Sequence, residues 1–312
     1  MTIAALFPGQ GAQSVGMLGE FADRVPAIKQ RFKEASDAIS APLFDYVFEG
    51  PEETLNLTEF TQPAILTASV ALWEHYCSEG GPAPSVLAGH SLGEYSALVC
   101  GGALSFDAGV RLVHLRGKFM QEAVPVGEGA IAAVLGLDDE RVESACAEAA
   151  TDETVVSPAN YNAPGQVAIA GAKPAVARAI ELCKAAGAKK AVMLNLSVPV
   201  HCALMAPAGA QLKAAIDAVE LRMPNIPIVH NVDAERAEDL GGLKRRLLAQ
   251  LAEPVQWTRS VQAIAAAGVT AAIECGPGKV LGGLVKRIER GLKVHATDRP
   301  DTMVATIDAL SS

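Results

Sequence analysis

Aromatic residues are scarce, at 4% of a 312-residue chain in which 50% of residues are hydrophobic. The core must therefore be built mainly from Ala, Val, Leu and Ile. No apolar run approaches the ~18 residues of a membrane-crossing helix. The start, Met1-Thr2-Ile3-Ala4-Ala5-Leu6-Phe7, lacks the basic stretch of a secretory leader and reads instead as a first core strand. A soluble, cytoplasmic protein is expected. Six cysteines, at positions 77, 100, 146, 183, 202 and 275, are scattered without a C-x-x-C pair. That argues against a metal site or a disulfide framework and for reduced core thiols. Basic residues are also short, 26 Lys and Arg against 35 Asp and Glu for a net charge of −9. Nonspecific binding of nucleic acid or of an anionic membrane is disfavoured.

What is present is an α/β rhythm. Ala4 to Phe7 reads as a buried strand that ends in the glycine-rich loop Pro8-Gly9-Gln10-Gly11. Further strands are expected at Val86 to Ala88, Ile226 to Val229 and Ala271 to Cys275. Helices are expected at Arg24 to Ile39, Pro63 to Cys77, Ser105 to Ala123, Met205 to Val219, Gly241 to Leu251 and Lys279 to Arg290. Short apolar strands alternating with helices imply a parallel sheet covered on both faces. The stretch from Gly129 to Leu194 has a different order, β-α-β-β-α-β, with a turn at Asn162-Ala163-Pro164-Gly165. This is the pattern of a ferredoxin-like module. It divides the chain into a large domain, residues 1–125 and 198–312, and an inserted small domain, residues 126–197. The cleft between them is the natural ligand site.

The most informative stretch is Gly89-His90-Ser91-Leu92-Gly93, between an apolar strand and a helix-compatible run. Glycines on both sides of the serine permit a sharp strand-to-helix turn that holds the hydroxyl exposed at a helix N-terminus. Such a serine can attack an acyl carbon; the plainer alternative is a βα turn with a serine cap. A serine nucleophile needs a base. Of the six histidines, His201 is the best candidate, because its proline-bounded loop, Val198-Pro199-Val200-His201, leaves the inserted module and can return toward Ser91. No acid stands out as a third member, and a backbone carbonyl can orient an imidazole as well. Arg116 lies among Leu112, Val113, Phe119 and Met120 on one helix, pointing along an apolar stripe. A buried guanidinium needs an anion, from the protein or from a substrate. Arg111, with Asp107 four residues earlier, reads as a surface pair.

The pieces Phe7-Pro8-Gly9-Gln10-Gly11, Thr61-Gln62-Pro63-Ala64, Gly89-His90-Ser91-Leu92-Gly93-Glu94-Tyr95, Arg116-Gly117-Lys118-Phe119-Met120-Gln121, Val198-Pro199-Val200-His201-Cys202, Pro254-Val255-Gln256-Trp257 and Gly276-Pro277-Gly278 occur in this order. Together they resemble the malonyl-CoA:acyl carrier protein transacylases of dissociated bacterial fatty acid synthesis, over nearly the whole chain. The resemblance implies an α/β-hydrolase-like parallel sheet with the inserted ferredoxin-like domain. It implies that Ser91 carries a malonyl ester in a ping-pong cycle and that His201 is the base. It further implies that the Gln250 main-chain carbonyl orients His201, that the N–H groups of Gln10 and Leu92 form an oxyanion hole, and that Arg116 holds the malonyl carboxylate with Gln62 in the same pocket. Val200 is expected against the acyl α-carbon. No metal or resident cofactor is implied. Malonyl-CoA and the phosphopantetheine thiol of holo-acyl carrier protein are the substrates, and a stand-alone monomer is expected.

Two other readings use the same residues. A serine esterase or thioesterase would take water as acceptor and give no role to Arg116. A non-catalytic carrier-binding protein would not need Ser91, His201 and Arg116 together. Docking an acidic carrier onto an acidic protein requires a local basic patch. Lys279, Lys286, Arg287, Arg290 and Lys293 form one candidate, and Lys184, Lys189 and Lys190 another.

Overall fold

The computed structural model describes residues 2–194 and 198–311. Among them, five strands form a parallel sheet: β1 (Ile3–Phe7), β2 (Val86–Gly89), β7 (Ile228–Val229), β8 (Ala271–Glu274) and β9 (Lys293–Ala296), in the order β7-β2-β1-β8-β9. Strand β1 lies at the centre and every residue of it is buried. Its alternating side chains go to opposite faces, as strand geometry requires. Ile3, Ala5 and Phe7 join one apolar cluster with the helices Pro26–Ile39, Thr58–Ser78 and Phe106–Glu122. Ala4 and Leu6 join the other, against Trp257–Ala266 and Val280–Ile288. Small side chains on β1 let the helices approach both faces, which is how a core with so few aromatics closes.

The four remaining strands, β3 (Gly129–Leu135), β4 (Val156–Ala163), β5 (Gln166–Ala172) and β6 (Lys190–Met193), form an antiparallel sheet in the order β4-β5-β3-β6. Helices Asp139–Ala149 and Lys173–Ala185 pack on it and share its own apolar cluster. The β-α-β-β-α-β order expected from the sequence is thus the observed one. Pro158 sits in β4, an edge strand with a register shift between Pro158 and Asn160, where a missing N–H is tolerated. The border expected at Ser197 lies outside the described residues.

Two expectations change. The helix expected to start at Pro63 begins five residues earlier, at Thr58. Proline in its second turn cannot donate to the Glu59 carbonyl, and His114 Nδ1 donates to that carbonyl instead, at 2.9 Å. The cysteines are all free, but Cys77 is exposed and Cys100 only half-buried, so not all of them are core thiols. The helix Phe106–Glu122 forms as expected, with the Ser105 side chain accepting from the Ala108 N–H and Arg111 paired with Asp107 on the surface. No helix among the described residues is long and apolar enough to cross a membrane.

Candidate active site

The carboxyl end of β2 turns directly into the helix Gly93–Cys100. Ser91 takes a left-handed conformation, φ 51°, that side-chain-bearing residues adopt only under constraint. Two glycines make the turn possible. A Cβ on Gly89 would overlap the backbone of Gly93, and one on Gly93 would overlap the carbonyl of Phe7. Asn231, just beyond β7, fixes the turn from below. Its Oδ1 accepts from the Ser91 N–H at 2.7 Å and its Nδ2 donates to the Gly89 carbonyl at 2.6 Å.

His201 also has a left-handed backbone, φ 56°. Its Nε2 lies 2.7 Å from Ser91 Oγ and its Nδ1 lies 2.6 Å from the Gln250 carbonyl oxygen. A carbonyl can only accept, so Nδ1 carries the hydrogen and Nε2 presents its lone pair to the serine hydroxyl. Burial, the nearby Arg116 cation and then His90 depress the imidazole, against the opposing bond to Gln250, to a pKa of about 3. The ring is therefore neutral and able to accept a proton at neutral pH.

Arg116 is 1% exposed. It reaches the site because the helices Thr58–Ser78 and Phe106–Glu122 cross closely at Gly117, where a Cβ would overlap the backbone of Thr58 and Glu59. Its Nη1 donates to Gln62 Oε1 at 2.8 Å, and its Nη2 to Gln250 Oε1 at 3.0 Å and to Ser91 Oγ at 3.3 Å. The guanidinium also lies over the Tyr95 ring, 5.3 Å from its centroid. All three acceptors are neutral, Nε has no partner among the described residues, and burial lowers the pKa of the group. The partner question raised by the sequence is thus answered as a cation with no protein carboxylate on it.

Gln250 is the junction of these groups. Its carbonyl holds His201 and its Oε1 holds Arg116, while its Nε2 donates to the Ser91 carbonyl at 3.0 Å and to Glu94 Oε2 at 2.9 Å. Glu94, fully buried, also accepts from His230 Nδ1 at 2.7 Å and from the Asn231 N–H at 3.0 Å. Sequence reasoning gave Glu94, His230 and Asn231 no role. The available signals were an acid in an apolar helical run and a polar pair at the carboxyl end of a parallel strand, the usual site edge of such sheets.

A cleft of about 680 Å³ opens onto these groups. Gln10, His90, Ser91, Leu92, Arg116 and His201 line it from the parallel-sheet side, and Ile131, Asn160, Asn162, Ala168 and Leu194 from the antiparallel sheet, with Val200 between. His90 Nε2 donates to Asn162 Oδ1 at 2.7 Å, tying the serine turn to β4. The N–H groups of Gln10 and Leu92 have no acceptor among the described residues. Gln62 and Gln250 do not line the cleft; both are buried and meet it through Arg116 and His201. Ser91, His201, Arg116, Gln10, Leu92, Gln62 and Gln250 are therefore gathered in one place. The arrangement offers a hydroxyl on a neutral base, two unengaged N–H donors and a cation for an acidic ligand.

Comparison with known proteins gives a consistent pattern. Residues 5–306 match the acyl transferase domain family. The malonyl CoA-acyl carrier protein transacylase of Salmonella typhimurium is 52% identical over 304 residues, 97% of this chain and 98% of that protein. The protein of the same name from Bacillus subtilis is 46% identical over 308 residues, 99% and 97% of the two chains. The solved structure of the Coxiella burnetii malonyl CoA-acyl carrier protein transacylase superposes with a TM-score of 0.98 at 43% identity, covering 100% of this chain and 98% of that one. A malonyl-transacylase in complex with its type II polyketide acyl-carrier protein gives 0.97 at 48% identity, covering 99% and 100%.

Proposed function

The chain belongs to the acyl transferase domain family, and from that premise we propose that it moves a malonyl group from malonyl-CoA to the phosphopantetheine thiol of an acyl carrier protein. The observation that carries this reading is the buried Arg116, which touches the nucleophile and has only neutral partners. A planar guanidinium in such a place suits a bidentate carboxylate on the acyl group.

The reaction runs in two halves. Ser91 Oγ attacks the thioester carbonyl while its proton passes to His201 Nε2. The negative charge that develops on the carbonyl oxygen is met by the N–H groups of Gln10 and Leu92; one such donor is worth roughly 3–4 kcal/mol. The C–S bond then breaks, the Nε2 proton goes to the departing thiolate, and malonyl remains esterified to Ser91. In the second half the carrier thiol gives its proton to Nε2 and attacks the ester, and Ser91 recovers its proton from His201. Gln250 keeps the imidazole in the required tautomer through its carbonyl, and Gln62 holds Arg116. Residues 126–197 act as the inserted domain that closes one wall of the cleft. The enzyme works as a cytoplasmic monomer without metal or resident cofactor.

The test is intact-mass analysis after mixing with malonyl-CoA. A single malonyl adduct is expected, absent in Ser91→Ala, discharged rapidly by holo-carrier and slowly by water. Rapid loss to water identifies a thioesterase, and no adduct identifies a non-catalytic protein.

A further inference from the structure

Arg116 and His201 share one oxygen. Ser91 Oγ accepts from Arg116 Nη2 at 3.3 Å on one side and faces His201 Nε2 at 2.7 Å on the other. Two consequences follow. The guanidinium occupies one of the two lone pairs of the attacking hydroxyl oxygen. The imidazolium that must form during acylation would also be a second cation in a buried site that already holds one, where charge repulsion is poorly screened. Of the other titratable groups, Tyr95 and Glu94 favour the Arg116 cation, and neither is bonded to the imidazole. His90 faces it from the serine turn and Cys202 adjoins it in the chain. Tyr95 lies under the guanidinium. Glu94 stands behind Gln250, bonded to Gln250, His230 and the Asn231 N–H, and to neither Arg116 nor His201.

We infer that the carboxylate of the incoming acyl group completes the catalytic site. By pairing with Arg116 it offsets the guanidinium charge and places a negative charge beside the nascent imidazolium, so that His201 takes up the serine proton more readily when an acidic acyl group is seated. This rests on the malonyl transfer proposed above and goes further. A carboxylate that merely anchored the acyl group would improve binding in ground and transition states alike and leave the chemical step unchanged. A carboxylate that completes the site raises the rate of that step. The depression of the imidazole, first by burial and then by the Arg116 cation, agrees with the geometry. The atom balance is that of ordinary acylation: the Oγ–H and C–S bonds break, the Oγ–C bond forms, and the proton ends on the CoA sulfur by way of Nε2. The carboxylate is neither consumed nor covalently changed.

The carboxylate and the acyl group need not belong to one molecule for the effect to appear, which gives the test. The full-length wild-type protein, labelled with ¹⁵N-histidine, is titrated with acid in the presence of malonamate, which has one carboxylate and no thioester and is held at a concentration whose ionised fraction remains saturating near pH 3, or of acetamide as the neutral control. Malonamate is expected to move the His201 midpoint upward by about one pH unit or more, the size of effect a neighbouring charge produces. Acetamide is expected to leave it in place. In parallel, single-turnover acetylation of Ser91 by acetyl-CoA is expected to speed up about tenfold when saturating formate fills the seat at Arg116. An unmoved His201 midpoint under saturating malonamate overturns the inference, as does formate that slows or does not change acetylation. Malonyl loading that proceeds while malonamate shows no saturable binding also counts against it. These failures leave malonyl transfer standing if malonyl-CoA still loads Ser91. Loss of that adduct defeats the transferase reading itself.

Discussion

At Arg116 a charged side chain that most folds keep in water is held in the interior by two glutamine oxygens and a hydroxyl. On the proposed role, replacing it with Ala removes the anchor for an acidic acyl group and relieves the cost of a buried cation bonded only to neutral groups. Arg116→Ala is expected to lower kcat/KM for malonyl-CoA by ~10³-fold or more, within the range for sites built around one polar contact, while acetyl-CoA use stays level or rises. Equal loss with both thioesters would make Arg116 structural. His201 supplies a second test at this scale. Its folded-state pKa, about 3, lies below the ordinary 6.5, so the unfolded chain binds the proton more readily. Its contribution to stability is complete above about pH 6.5 and is lost as pH falls toward 3. Near pH 5 the loss amounts to about 2 kcal/mol. Urea unfolding of wild type and His201→Gln at pH 7 and pH 5 should show wild type losing more stability on acidification than the variant. Identical losses would place the histidine in an ordinary solvated state.

The serine turn is the element that the sequence made legible, and it is also where the sequence was incomplete. Gly89 and Gly93 announced a sharp strand-to-helix turn because no side chain fits at either place. The residues that hold the turn in its left-handed conformation come from 140 to 159 positions away, through Asn231 and Gln250, and no local pattern encodes such a contact. Asn231→Ala would leave the Ser91 N–H and the Gly89 carbonyl without their partner. It is expected to cost about 2–6 kcal/mol in stability, at 1–3 per unpaired buried group, and to lower kcat far more than it changes KM. A wild-type kcat would show that the glycines alone define the turn. The helix Thr58–Ser78 teaches the same point differently. Proline usually marks a helix start, but here a histidine on a neighbouring helix takes the carbonyl that Pro63 leaves free, so the helix extends upstream. Propensity located the helix, and a tertiary contact set its beginning.

Across the whole molecule, the alternation of short apolar strands with helices carried both sheets, because periodicity and strand length survive without knowledge of contacts. The antiparallel sheet was legible as an interruption of that rhythm, and its wall of the cleft followed. Strand β9 and the last helix, Pro300–Ser311, were not anticipated; four partly exposed residues give β9 too weak an apolar signal. Charge is the other property of this scale. With a net charge of −9, the protein can receive an acidic carrier only on a local basic face. The helix Val280–Ile288 borders the cleft through Val280, Leu281 and Leu284, and Arg287 donates to Gln166 at its rim. Lys184 is engaged with Glu181, and Lys184, Lys189 and Lys190 do not line the cleft. Reversing Lys286 and Arg287 to Glu should raise the carrier KM several-fold and leave malonyl-CoA loading unchanged; an unaltered carrier KM would exclude this face. The relay through Ser91 is tested most directly by initial rates measured over a grid of malonyl-CoA and holo-carrier concentrations. Double-reciprocal lines should be parallel, because the acyl group leaves CoA before the carrier is engaged; intersecting lines would mean direct transfer between two bound substrates and would contradict an acyl-serine intermediate.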